Sequence, residues 1–188
     1  MTKTLVKLLL VLLVVSPSAN AQVRKDSSAE GGLKSFARLS VGFGSGFEWE
    51  QRVGRRSVIA LFEGITIGTT SDNFADYHSR WGIAPDNYAE YKNLYNFFKR
   101  VRKNRNTRFN SADFLFGRIE AYYPVRNQNF FNLMLIEGWG AQRWVRRHFI
   151  GSTHIGLVQH FYYDRGPRGG FNYIKLEPLI DFTLSYLF

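Results

Sequence analysis

Apolar and polar residues alternate along most of this chain, and the alternation constrains its fold more than any other feature. In the stretch LIDFTLSYLF, every second residue from Ile180 to Phe188 is apolar, and the residues between them are polar apart from Leu187. Successive side chains of a β-strand point to opposite faces, so a period of two predicts strands with one apolar and one polar face. Beyond residue 32 no window shows a sustained apolar stripe at helical spacing. We therefore predict an all-β chain.

Segments of this kind recur eight times, separated by stretches rich in turn-forming residues. The first turn is predicted at Gly44-Ser45-Gly46, a long loop over Thr70 to Asn87, and a basic turn over residues 99–112. Most connections are short, which is typical of an eight-stranded antiparallel up-and-down β-barrel. The predicted strands cover residues 35–43, 47–53, 57–68, 87–97, 113–123, 131–144, 150–163 and 171–188.

The start of the chain predicts an export signal. Lys3 and Lys7 form a basic segment before an apolar run from Leu8 to Val15, and Ala19-Asn20-Ala21 has the small residues of a cleavage site. The alternative is a membrane-spanning helix, which needs about 20 apolar residues, more than this run provides. We expect a cleaved signal peptide over residues 1–21, a flexible leader over 22–32 and the barrel over 33–188.

Composition restricts the environment and the partners. The absence of cysteine excludes disulfides, a cysteine-containing metal site and lipid attachment at an N-terminal cysteine. A formal charge of +10 suits an anionic partner, either nucleic acid or an anionic lipid surface. For an exported protein we expect lipid and no nucleic acid.

Alternation alone does not show which face of the sheet contacts water. A soluble lipocalin-like carrier would have its apolar residues inside, whereas an outer-membrane barrel has them outside. Aromatic residues of the apolar face cluster at strand ends, as in the girdles of a membrane barrel. We therefore favour a transmembrane barrel surrounded by lipid of the bacterial outer membrane. The predicted inner girdle comprises Tyr95, Phe97, Trp144, Tyr186 and Phe188, and the outer girdle Phe43, Phe47, Tyr123, Phe161 and Tyr163.

The polar faces carry charges of both signs. The interior of an eight-stranded barrel is just wide enough for side chains, so inward charges must pair with one another. We predict a filled interior and no open pore, although an ordinary solvated face would also mix the signs. The predicted interior network comprises Arg38, Arg52, Lys92, Arg118, Arg143 and Lys175 with Glu48, Glu50, Glu63, Glu90, Glu120, Glu137, Glu177 and Asp181.

The last strand resembles the C-terminal signature of bacterial outer-membrane barrels, an alternating strand that ends in an aromatic residue, here Phe188. That resemblance implies recognition by the barrel-assembly machinery, and we expect a monomer. Pro178 departs from the pattern, because a strand inside a closed barrel has no unpaired edge to accommodate a missing N–H. Either a bulge lies there, or the spanning strand begins near Leu179.

The basic turn carries a second resemblance. The segment from Asn96 to Leu115 is similar to one found in a group of small, uncharacterised outer-membrane β-barrel proteins of Bacteroidota, with departures at Asn93, Leu94 and Asn104. The resemblance implies an eight-stranded outer-membrane barrel and no activity. The matching positions are Asn96, Lys99, Arg100, Lys103, Asn106, Thr107, Asn110, Ser111, Phe114 and Leu115, preceded by Glu90 and Lys92. The basic residues predicted on the periplasmic side are Lys99, Arg100, Arg102, Lys103, Arg105 and Arg108.

One predicted strand carries the residue types of a catalytic site. Some small outer-membrane barrels modify lipid A or phospholipid with a serine, a histidine and an acid, and here Ser152, His154 and His160 share one face of a strand. Residues two apart on a strand stand roughly 6–7 Å apart, too far for a direct hydrogen bond. Histidines held in an interior hydrogen-bond network are the alternative. The histidines lack metal-ligand spacing, so we expect no metal and no cofactor. We therefore favour a structural or interaction barrel over a lipid-modifying enzyme.

Overall fold

The computed structural model describes residues 32–42, 44–71, 79–122, 130–164 and 170–188. Eight strands follow one another: β1 (Phe36–Val41), β2 (Gly44–Arg52), β3 (Ser57–Ser71), β4 (Ser79–Asn93), β5 (Asp113–Tyr122), β6 (Phe130–Arg146), β7 (Phe149–Asp164) and β8 (Gly170–Leu187). Between β4 and β5 lie a short helix, α1 (Phe97–Arg102), and a 3-10 helix (Arg108–Asn110). The predicted signal peptide and all of the predicted leader except Gly32 lie outside the described residues.

The strands form a closed antiparallel barrel. Each strand pairs with the next, and β1 closes the sheet by pairing with β8. Each strand therefore has a neighbour on both sides over at least part of its length, which reduces the unpaired sheet edges that invite aggregation. The predicted all-β, eight-stranded up-and-down fold is therefore confirmed.

Side chains of the two faces lie in different environments. On β2, Glu48 and Glu50 are buried, whereas Phe47 and Trp49 between them are exposed. On β8, Ser185 and Leu187 are buried, and the apolar residues that alternate with them are exposed. Charged and polar residues thus fill much of the interior, and apolar residues cover the outside.

Three local predictions are wrong. The segment predicted as a long loop is largely strand, because β3 and β4 pair from Ser71↔Ser79 down to Ser57↔Asn93. Gly44 begins β2 and does not form a turn. Phe97 begins helix α1 and does not continue β4. In the first two cases glycine, proline or asparagine suggested a break that pairing with the neighbouring strand overrides. In the third case the alternation of Tyr95 and Phe97 continues beyond Asn93, the last residue of β4 that pairs with β5.

Pro178 lies inside β8 without a bulge at that position. It is paired with Leu157, and the register shift between β7 and β8 falls earlier, between His160 and Phe161. Among the described residues β1 pairs with β8 only from Leu184 to Leu187, so Pro178 belongs to a stretch for which pairing is seen with β7 alone. Such a one-sided stretch tolerates proline in the way that an edge strand does.

One end of the barrel is closed by what we call the end cap, residues 32–35 together with the β4–β5 connection, residues 94–112. Leu33, Leu94 and Phe97 of this cap are buried against Phe114 and Phe116 of β5. An apolar cluster therefore closes this end, where an entirely polar interior was predicted. Among the described residues no helix is long and apolar enough to cross a membrane.

Candidate functional site: the ionic interior and the basic end

A connected network of ion pairs lies inside the barrel. Lys92 on β4 places its Nζ 3.3 Å from Oε1 of Glu48, 3.3 Å from Oε2 of Glu50 and 3.2 Å from Oε1 of Glu90. Arg38 on β1 contacts Glu48 and Glu50 from the other side. All five side chains are almost completely buried. The charges of this part of the interior are thus paired, as burial requires.

Strand register explains how the network extends. Glu90 on β4 lies directly opposite Arg118 on β5. The Nε of Arg118 donates to Oε2 of Glu90 at 2.7 Å, and its Nη1 lies 3.6 Å from Oε2 of Glu120. On β3, the residue in register with Glu90 is Ala60, which is also buried. Its small side chain leaves space for Lys92 to reach across to β2.

Sequence patterns missed several members of this network. Tyr88 donates its hydroxyl to Oε2 of Glu48 at 3.2 Å, and Gln142 accepts from Nη1 of Arg38 at 3.0 Å. Asp86 is buried on the same face of β4. Asp86 was missed because it was assigned to the predicted loop. Its two-residue spacing from Tyr88 would have placed both residues on the same face of a strand. Gln142 lies on a strand whose facing the sequence left ambiguous.

Four predicted interior charges lie elsewhere. Glu63 and Glu137 point outward and are exposed, and Arg52 is exposed at the end of β2. Arg143 is outside the interior and pairs with Asp113. β3 and β6 carry apolar residues on both faces, so alternation could not assign a face there. Arg52 lies on the same face of β2 as the inward-pointing Glu48 and Glu50, but it lies beyond the part of the barrel that other side chains enclose.

The candidate catalytic residues lie inside the barrel but do not form a pair. Ser152 and His154 are both buried, and Ser152 Oγ donates to Oε1 of Gln142 at 3.5 Å. The His154 ring lies between two carboxylates, with Nε2 3.4 Å from Glu90 and Nδ1 3.7 Å from Asp181. The arrangement connects His154 to the ionic network and leaves Ser152 bonded to an amide.

His160 belongs to a separate group nearer the opposite end of the barrel. Its Nε2 lies 3.3 Å from Oε2 of Glu177, which also pairs with Lys175. The side chains of His160 and Glu177 are partly exposed, and that of Lys175 is exposed, so Lys175 is a further predicted interior charge that the barrel does not enclose. In the part of the chain that the structure describes, no group of three or more His, Cys, Asp or Glu side chains is arranged to hold a metal ion.

Basic residues gather at the capped end of the barrel, which we call the basic end. Strand direction alternates, so the β2–β3, β4–β5 and β6–β7 connections all lie at this end. The predicted basic turn is therefore one part of a larger surface. Burial and the neighbouring Arg143 cation lower the pKa of Arg100, a sign of how closely like charges approach here. The exposed basic residues are Lys34, Arg52, Arg55, Arg56, Lys99, Arg102, Lys103, Arg105, Arg108, Arg146 and Arg147.

Aromatic side chains surround the basic end. Tyr95 accepts a hydrogen bond from Nε1 of Trp139 at 2.9 Å, and Nε1 of Trp144 donates to the carbonyl of Arg147 at 2.8 Å. Tyr186 packs edge-on against Phe188. Aromatic residues with bonded polar tips are typical of a boundary between apolar and polar surroundings.

Two predicted girdle residues lie elsewhere. Phe97 is buried in the core cluster. Phe47, predicted at the rim opposite Phe188, stacks on Phe188 with ring centroids 5.5 Å apart. The two meet because β1, the strand between them, is short and the pairing is staggered. Phe161 is half-buried on β7, and Phe43, Tyr123 and the side chain of Tyr163 lie outside the described residues.

The fold and its interior define a class of protein: a closed eight-stranded antiparallel barrel with a paired ionic interior, an apolar exterior and one basic end. No family model, no curated protein and no solved structure matches this chain.

Proposed function

We propose that this chain is a small outer-membrane β-barrel protein with a structural or interaction role at the bacterial envelope. The observation that carries the proposal is the inverted distribution of side chains. Apolar residues such as Leu61, Ile119 and Ile155 face outward, while Arg38 and Lys92 are enclosed. Soluble monomers rarely expose large contiguous apolar patches, whereas a lipid-facing sheet requires one.

The barrel in this proposal is filled and does not act as a pore. Two features support a closed interior: the ion pairs around Lys92, and the apolar cluster in which Leu33 and Phe97 pack beneath the end cap. The proposal includes no catalytic step, no cofactor and no metal. Ser152 bonds to Gln142, and His154 lies among carboxylates and aromatic rings.

The proposal includes export by the signal peptide and insertion by the barrel-assembly machinery, which would bind β8 through its outward apolar residues. It also includes a relationship to the small outer-membrane barrels of Bacteroidota. Asn96, Asn110 and Ser111, three residues of the shared motif, all make hydrogen bonds that hold the end cap together or tie it to β5 and β6. The motif residues therefore have a physical reason to occur together, which supports the relationship.

In this proposal the protein is a monomer, and its basic end faces the periplasm. Its arginine and lysine side chains are long enough to reach lipid phosphates while their stems stay near the aromatic residues. Trp144 and Tyr95 lie at the same end, and Arg108 stacks over the Trp144 ring. We expect this end to contact the anionic headgroups of the inner leaflet.

The proposal is tested by expressing the full chain in a Gram-negative host and fractionating the cells. We expect the mature protein in the outer-membrane fraction, and we expect it to migrate differently on an SDS gel before and after boiling, because a closed barrel resists unheated detergent. In a planar bilayer the purified protein should give no stepwise conductance. Folded protein released into a detergent-free periplasmic extract would contradict the membrane placement and favour a soluble carrier. Stepwise conductance would contradict the filled interior.

A further inference from the structure

Away from the basic end, the interior opens into a cavity of about 270 Å³. Its walls carry the carboxylates of Asp86 on β4, Glu120 on β5, and Glu177 and Asp181 on β8, together with the guanidinium of Arg118 and the ring of His160. Apolar side chains, among them Ile136, complete the lining. The space corresponds to about nine water molecules at ~30 Å³ each.

Positive charge in this cavity does not balance the carboxylates. Arg118 is already engaged, because it donates to Glu90 and lies 3.6 Å from Glu120. Asp181 has only the His154 ring within ion-pair distance among the described residues. Asp86, Glu120 and Asp181 also lie close enough to repel one another. Around Lys92, by contrast, each of the three carboxylates lies within ion-pair distance of at least one lysine or arginine.

Asp86 is the least satisfied member of the group. It is only 7% exposed, and among the described residues its Oδ1 has no hydrogen-bond partner. Its Oδ2 faces Gly44, where an added Cβ would lie 2.8 Å away. The glycine therefore keeps space open beside the carboxylate. An enclosed carboxylate oxygen without a donor is costly, so a site of this kind is suited to a ligand that supplies the missing donor.

We infer that this cavity binds a small organic cation, a compound carrying primary ammonium groups on a short apolar chain. Ammonium groups donate several hydrogen bonds to carboxylates, and methylene groups suit the apolar part of the wall. The described residues offer no cluster arranged to hold a metal ion, which favours an organic cation. The inference depends on the closed barrel and not on its placement in a membrane, so a soluble protein would leave it intact.

The test uses putrescine, which has an ammonium at each end of four methylenes, and its neutral analogue butane-1,4-diol. Each is titrated calorimetrically into the full mature barrel in detergent. We expect saturable one-to-one binding of putrescine and none of the diol. Asp86→Asn should weaken putrescine binding by at least about tenfold, the effect of one hydrogen bond to a charged group. The matched control, Glu137→Gln, removes an outward carboxylate and should leave the binding unchanged.

The migration shift on unheated gels reports whether each variant is folded. Asp86→Asn relieves repulsion and should fold, and Glu120→Gln provides a second variant with the same expected loss of affinity. Absence of saturable binding by the unmodified barrel would overturn the inference. Equal binding of the diol, or undiminished binding by both cavity variants, would overturn it as well.

Discussion

Lys92 shows how a barrel interior can hold a charged residue. Its ammonium is enclosed and lies within 3.3 Å of carboxylate oxygens from Glu48, Glu50 and Glu90. Two of its N–H donors form hydrogen bonds to Glu48 and Glu50, and Oε1 of Glu90 lies within ion-pair distance. These contacts offset the cost of burying the charge, and removal of Lys92 would leave the carboxylates facing one another.

Replacing Lys92 by glutamine tests this role. Breaking a buried ion pair by removing one partner typically costs about 3–5 kcal/mol, so we expect Lys92→Gln to lower the free energy of unfolding by about that amount. Urea titration of the refolded barrel in detergent measures it. Lys99→Gln makes the same chemical change on the exposed surface of the basic end and should have little effect. If the two variants lost equal stability, the ion pairs could not be what holds the interior together.

Whether a given side chain points into or out of the barrel could be predicted only where one face of the strand is polar and the other apolar. Glu90 and Arg118 lie in clearly alternating segments, and both are inside as their patterns indicate. Glu63 and Glu137 lie among apolar residues of both parities, and both are outside. Alternation carries information about a face only when the two faces differ in polarity.

At the scale of elements, the β4–β5 connection forms a folded cap, although its sequence predicts only a turn. Asn110 donates to the carbonyl of Lys34 and to Glu50, and its Oδ1 accepts from the backbone N–H of Lys34 at 2.8 Å. Its backbone has φ 56°, as Asn104 has φ 50° at the end of α1. Asparagine tolerates this left-handed region better than most residues, which explains why it can stand at position 104.

A pair of asparagine-to-glycine substitutions separates the side chain from the backbone. Asn110→Gly keeps the left-handed backbone accessible but removes three hydrogen bonds and leaves Glu50 with one donor fewer. We expect it to lower the free energy of unfolding by about 1–3 kcal/mol. Asn104→Gly makes the same change at an exposed residue whose side chain has no hydrogen bond among the described residues. Urea titration should show Asn104→Gly close to the unmodified protein, and a matching loss in both variants would contradict the bridging role of Asn110.

At the scale of the whole molecule, the apolar exterior is the property on which the proposed function depends. Ile155 lies near the middle of β7, between Trp139 of β6 and Ile180 of β8. All three side chains are exposed. In water such a band would promote association, whereas in a bilayer it is the surface that lipid chains cover.

Ile155→Arg places a charge in the middle of this band. In lipid vesicles we expect it to lower the free energy of unfolding by about 2–4 kcal/mol, the cost of arginine at the midplane of a membrane barrel. Val53→Arg introduces the same residue at the basic end, where arginine already occurs, and should change stability much less. Urea titrations in vesicles compare the free energies of unfolding of the two variants, with unfolding monitored by the migration shift on unheated gels. A stability unchanged by Ile155→Arg would show that this face does not lie in lipid.

The sequence by itself determined the strands and their antiparallel order, since alternation and short turns depend on residues close together in the chain. It also determined the inward facing of residues such as Arg38, Glu48 and Arg118. Only the tertiary structure decided the end cap, the stacking of Phe47 on Phe188 and the place of Asp86 in a cavity. These depend on register and stagger around a closed sheet, which bring together strands that are distant in sequence. A period of two describes one strand, and it contains no information about which residue lies across the barrel.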